Sequence, residues 1–180
     1  VEVDVGLRAL VGTEGADGFY QARHVQHDAC PTMIVPALSV LVHDLMAHDV
    51  QAAVDELMRT DWSRLYTLPG TGDAGPLVGV PSPNDEEPLR GHIATENAYD
   101  REWAYLFGGH RLHVYLGVLP ERGPKRWRSW ACWSVHELPT LPLDEVLSVQ
   151  KAGYSAQWRA ADFRMYMDAV RERMKEVTAQ

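Results

Sequence analysis

Apolar and polar positions along the chain follow two periods, and the switches between them mark out the elements. Residues 7–13 read as a short strand, and Glu14-Gly15-Ala16-Asp17-Gly18 supplies a turn. Residues 19–27 return as a strand, with Tyr20, Ala22, His24 and Gln26 on one face and Phe19, Gln21, Arg23, Val25 and His27 on the other. From Pro31 the spacing becomes helical: Ile34, Leu38, Leu41 and Leu45 share a stripe with Ala37 and Val42. Asp49 then stands as an N-cap before a second stripe of Val50, Ala53, Val54, Leu57 and Met58.

Residues 67–90 lose both periods. Pro69-Gly70, Gly72, Gly75-Pro76, Pro81, Pro83 and Pro88 punctuate them, which predicts a surface loop with a short strand at 77–80. Residues 103–107 and 111–117 flank Gly108-Gly109-His110 and predict a hairpin, in which Leu112, Val114 and Leu116 alternate with His113 and Tyr115. A third strand is expected at 126–135, with Trp127, Ala131, Trp133 and Val135 on one face and Trp130 and Cys132 on the other. After Pro139 and Pro142, residues 144–149 read as a short helix or turn. A final helix starts at Ser155 or Asp162. Its stripe of Phe163, Tyr166, Met167, Val170, Met174 and Val177 is expected to face the body, with Arg159, Arg164, Arg171 and Arg173 in water. Strands and helices fall in blocks, so the expectation is α+β. An antiparallel sheet, made of the N-terminal hairpin and a three-stranded meander, is packed by two helices of the N-terminal half and a long C-terminal one. Residues 1–180 are expected to form one domain.

Composition narrows the classes. With 180 residues, 46% of them hydrophobic and 23% charged, the chain has the make-up of a folded domain and not of a disordered one. A net charge of −8 repels phosphate backbones, which disfavours direct nucleic-acid binding and suits a basic protein partner. One stretch runs against that balance: Arg126, Trp127, Arg128 and Trp130 interleave cations and aromatics as a base-stacking groove does. The competing account is a hairpin whose tryptophans face the core. Cys30 and Cys132 are too few for a disulfide framework or a zinc ligand set. No apolar run nears the ~18 residues that span a bilayer. The first residues lack the basic-then-apolar order of a signal peptide, so the expected location is cytoplasmic, without a membrane partner.

Two clusters carry candidate chemistry. His24, His27, Asp28 and Cys30 stand where a strand gives way to a helix, whose N-terminus could lower a thiol pKa. His27, Asp28 and Cys30 are therefore candidate catalytic residues, and two histidines with an aspartate could bind zinc. Against this, His24 and His27 point to opposite faces of a strand, Asp28 suits an N-cap, and Cys30 suits a small buried position. The second cluster is His43-Asp44 with His48-Asp49. Leu41-Val42-His43-Asp44-Leu45 resembles the helix-borne His-Asp pair of HD-type metal phosphohydrolases, which implies a divalent metal shared with a distant His and Asp in an all-helical fold. An ordinary helix-surface pair of Asp44 and His48 is the alternative. The expectation is no metal and no cofactor. Glu96, Asp100 and Glu102 form a further loop cluster of acids.

Three segments together resemble an uncharacterised family of actinobacterial and phage proteins. Arg23-His24-Val25-Gln26-His27-Asp28-Ala29-Cys30-Pro31 parallels the family's Arg-Tyr-Val-His-Trp-Asp-Gly-Tyr-Pro. Trp103-Ala104-Tyr105 and Leu112-His113-Val114-Tyr115 parallel its Trp-x-Tyr and Leu-x-Val-Tyr strands. The chain departs at Gln26, Ala29, Cys30 and Phe107. The resemblance implies an architecture and a bacterial or phage origin, and it carries no activity. The expected function is partner binding through protein–protein contact, with self-association left open. The rival is a small hydrolase or metal-dependent phosphohydrolase built on the His/Asp/Cys residues.

Overall fold

The computed structural model describes residues 7–67 and 79–178. Ala9–Glu14 (β1) and Phe19–Val25 (β2) make the expected antiparallel hairpin, with Glu14 opposite Tyr20. Trp103–Gly108 (β6), Arg111–Val118 (β7) and Arg126–Ser134 (β8) make the expected meander. The β6–β7 turn runs through Gly109, whose φ of 60° is a conformation that glycine enters at least cost. Three short strands complete the sheet: Trp62–Leu65 (β3), Gly79–Pro81 (β4) and Leu89–His92 (β5). The order is β4-β3-β2-β1-β6-β7-β8, with β5 also against β2. Hairpin and meander join through a parallel pairing of β1 with β6, and β2 with β3 is parallel too, so the sheet is mixed. Of the expected strand at 77–80, Gly79 and Val80 lie in β4, which runs on to Pro81; Leu77 and Val78 lie outside the described residues, as do Pro69, Gly70, Gly72, Gly75 and Pro76.

Helices cover one face. Pro31–Val40 (α1) starts with Pro31 in its first turn, where a missing N–H is tolerated, and runs into a π-helical turn over Leu41–Leu45. Pro36 stands in the interior of α1. Val50–Met58 (α2) carries the expected cap, the Asp49 side chain accepting from the Ala52 N–H. The core beneath is built from Ala9, Val11 and Val25 of the hairpin, Ile34, Leu38 and Leu57 of the helices, and Trp103, Tyr105, Phe107, Leu112 and Leu116 of the meander. Burying each of these large aliphatic side chains or Phe107 is worth about 1.5–3 kcal/mol. The other face holds a smaller cluster around Leu10, Tyr20, Ala22, Ala98, Leu106, Tyr115 and Trp127.

Three expectations need correction. Trp127 and Trp133 lie on opposite faces, because a bulge in β8 leaves Trp130 unpaired between Ser129 and Ala131 and reverses the alternation. Asp28 is not an N-cap. Cys30 occupies the cap of α1 without a side-chain bond, while Asp28 takes a φ of 53° and pairs with Arg64 at 3.2 Å. The C-terminal segments are one helix, Leu143–Thr178 (α3), of 36 residues, and the expected stripe does not face the body.

Candidate functional site

The first half of α3 is seated on the sheet. Val146 is in the core, the Trp133 and Trp130 indoles donate to Glu145 Oε1 and the Val149 carbonyl at 3.0 Å each, and Gln150 Oε1 accepts from Thr32. Tyr154 meets Trp103 edge-on, and Gln157 Nε2 donates to the Gly117 carbonyl at 3.1 Å. Gly153 is the last buried residue of the helix among the described residues, and a Cβ there would run into the Trp103 indole. Beyond it the surface changes: Trp158 is 70% exposed, Phe163 46%, Met165 73% and Tyr166 65%. At 1.5 Å per residue the stretch from Trp158 to Thr178 is about 30 Å long.

Where the helix leaves the sheet it borders a groove of about 650 Å³, lined by Leu7, Gly117, Leu119, Tyr154, Trp158 and Ala161 among others. Burial raises the pKa of the Glu102 carboxyl at its rim and lowers that of the Lys125 ammonium, so the rim is partly dehydrated. Trp158 and Ala161 of the helix line the groove, and Phe163 and Tyr166 are exposed just beyond it. Such surfaces on soluble domains mark contact sites.

The opposite face of the sheet carries a polar row that the sequence reading missed. Glu14, 7% exposed at its side chain, accepts two 2.8 Å contacts from the Tyr115 hydroxyl and lies 3.6 Å from His113 Nδ1. His113 Nε2 is 4.0 Å from Cys132 Sγ, and Arg111 Nε donates to that sulfur at 3.0 Å. The residue between Glu14 and His113 is Gly108, whose Cβ, if present, would touch both side chains at 3.4 Å. Thiol, imidazole and carboxylate thus stand in the order of a nucleophile, base and orienting acid, but at separations longer than hydrogen bonds. The only sequence trace was the alternation of His113 and Tyr115 against the core positions of β7, since the other members come from separate strands.

At one end of the sheet, His43 and His48 meet His110 and His136 around a cleft of about 550 Å³. His43 Nε2–H donates to the Val135 carbonyl at 2.8 Å, so in its neutral form His43 Nδ1 accepts from His48 Nδ1–H at 2.6 Å. Asp44 is exposed beside a different hollow, and Asp49 is used as the helix cap. Among the described residues no group of three or more His, Cys, Asp or Glu side chains is placed to hold a metal ion.

His24 and His27 do line one pocket, with Arg8, Asp61, Glu86, Asp100 and Arg101. Asp28 turns to Arg64, and Cys30 Sγ lies 3.5 Å from Thr32 Oγ1, so His27, Asp28 and Cys30 do not converge. Of the four Trp/Arg candidates, Trp127 is buried on one face while Arg128 stacks over Trp130 on the other, and Arg126 donates to the Thr95 carbonyl. They make no common groove.

Burial, and after it the Arg101 guanidinium, hold the His24 imidazole below its usual pKa. The unfolded chain therefore binds a proton at His24 more readily than the folded one. Stability should fall as pH drops through about 6.5 and level off once the folded imidazole itself protonates. Melting curves at pH 7.5 and 5.5 are expected to show a smaller acid-side loss for His24→Gln than for the parent. An unchanged loss would assign the effect to another group.

No protein-family model, no curated protein and no solved structure matches the chain.

Proposed function

We propose that this protein acts by binding another protein, with the outer half of α3 and its adjoining groove as the docking element. One observation carries the reading: an unbroken helix continues past its seated half with Phe163 and Tyr166 exposed on one side. An amphipathic helix that buries its apolar face only on a partner is a recurrent recognition mode. No helix among the described residues is long and apolar enough to cross a membrane. The motif around Arg23–Pro31 adds a bacterial or phage origin to the reading. Catalysis ranks second, and its best footing is the Cys132, His113 and Glu14 row, not the residues near Cys30.

The test uses two baits, the whole chain and a chain ending at Ala161, with captured proteins then titrated individually. A partner bound by the whole chain and lost at least tenfold by the shorter one is the expected result. A partner held equally by both removes α3 from the interface.

A further inference from the structure

The outer half of α3 repeats with a period the rest of the helix lacks. From Ala160 the apolar positions advance by alternating steps of three and four: Ala160, Phe163, Met167, Val170, Met174 and, in sequence, Val177. That alternation is a heptad seam, a narrow stripe that fits one facing helix, whereas a helix lying on a sheet needs a broader face. Phe163 and Met174 on the seam are exposed, and Ala160, Met167 and Val170 are partly so.

The flanks of the seam are of one sign. Positions immediately beside it carry Arg159, Arg164, Tyr166, Arg171 and Arg173. The acids of the same stretch, Asp162, Asp168, Glu172 and Glu176, all take positions away from the seam. Arg171 and Asp168 pair along the helix at 3.1 Å, three residues apart. Random placement would mix the signs on both sides. Here the arginines frame the apolar stripe, and the acids share the outer surface with Trp158 and Met165.

That arrangement bears on which partner can dock. In a parallel pair of copies, Arg159 of one helix would face Arg164 of the other, and an antiparallel pair would again set arginine beside arginine. Flanking charges of one sign select against self-pairing and in favour of the opposite charge. Resting on the partner-binding reading above, we infer that the outer half of α3 pairs with an acidic amphipathic helix of another protein, one with Glu or Asp beside its own apolar seam. The seam supplies the contact area, and the arginines supply choice of partner and speed of encounter. An isolated helix this short would be marginal in water, but this one is held in register by its seated half.

The probes are two synthetic peptides of about four heptads with the same Ile/Leu seam, one flanked by Glu and one by Lys, titrated against the whole chain by fluorescence anisotropy. The Glu-flanked peptide is expected to bind at least about tenfold tighter than the Lys-flanked one, and more weakly as salt is raised. Phe163→Asp should lose that binding without lowering the melting temperature, and the double variant Arg164→Glu/Arg171→Glu should invert the preference. Equal affinity for the two peptides, or binding of neither at about 100 µM, overturns the inference. So does a stable dimer by sedimentation that Phe163→Asp dissolves, since a second copy would then cover the seam. If both peptides fail while the chain ending at Ala161 still loses its captured partner, the acidic-helix assignment falls and the partner-binding reading stands.

Discussion

Arg23→Ala will destabilise the fold by about 3 kcal/mol, the lower end of the ~3–5 kcal/mol seen when one member of a buried ion pair is removed. Arg23 and Asp61 are 7% and 1% exposed, with Arg23 Nη1 3.9 Å from Asp61 Oδ1. The guanidinium also donates to the Met58 carbonyl at 2.8 Å, to Asp85 at 3.2 Å and to the Glu86 carbonyl. Asp61 in turn accepts the His24 and Glu86 backbone N–H groups at 3.0 and 3.1 Å. Those two bonds remain in the variant, which is why the lower end applies: the carboxylate loses its counter-charge but stays hydrogen-bonded. Urea titration should show a lower midpoint at unchanged slope, and Asp61→Asn in the Arg23→Ala background should cost less than it does alone. A loss under about 1 kcal/mol would mean that water reaches the pair and replaces the guanidinium.

A chain ending at Ala161 will fold as well as the parent, within about 0.5 kcal/mol, because surface groups away from packed features contribute little. A stripe packed on the body, as its periodicity leads one to expect, would instead make removal of residues from Asp162 onward strongly destabilising. The difference lies in what the stripe faces: no residue after Gly153 is buried among those described. Ending the chain at Pro142 instead removes Val146 from the core, two indole hydrogen bonds and the Tyr154–Trp103 contact. Several kcal/mol of burial go with them, at ~25 cal/mol per Å² of apolar surface. Thermal melts of the two truncations should therefore separate widely. Loss of cooperativity in the longer product would show that the outer helix packs on the body after all.

Local rules read the elements well and their assembly poorly. The cap at Asp49, the helix start at Pro31 and the Gly108-Gly109 hairpin each depend on residues a few positions apart, and all three are in the structure. The parallel pairing of β1 with β6 joins residues more than ninety positions apart, and no pattern in either strand declares it. One unpaired residue, Trp130, put Trp127 and Trp133 on opposite faces, because alternation transmits a single insertion to every later position. The polar row was illegible for the same reason as the sheet order: Glu14, Gly108, His113 and Cys132 become neighbours only once β1, β6, β7 and β8 lie side by side. Periodicity found the stripe of α3 but not its partner, since a helix facing a sheet and one facing another protein differ chiefly in the width of the apolar face.

Gly153 sets the direction in which α3 points. Its backbone rests against the Trp103 ring, a contact that admits no side chain, so the helix cannot roll or slide there without pushing the indole out of its place in the core. Phe163 and Val170 lie about 15 and 25 Å farther along the axis. A tilt of about 5° at the glycine would displace a bound object at Val170 by roughly 2 Å, enough to spoil a fitted interface. The tryptophan and the glycine together therefore work as a mounting bracket, holding whatever the arm carries at a set distance and bearing from the open face of the sheet.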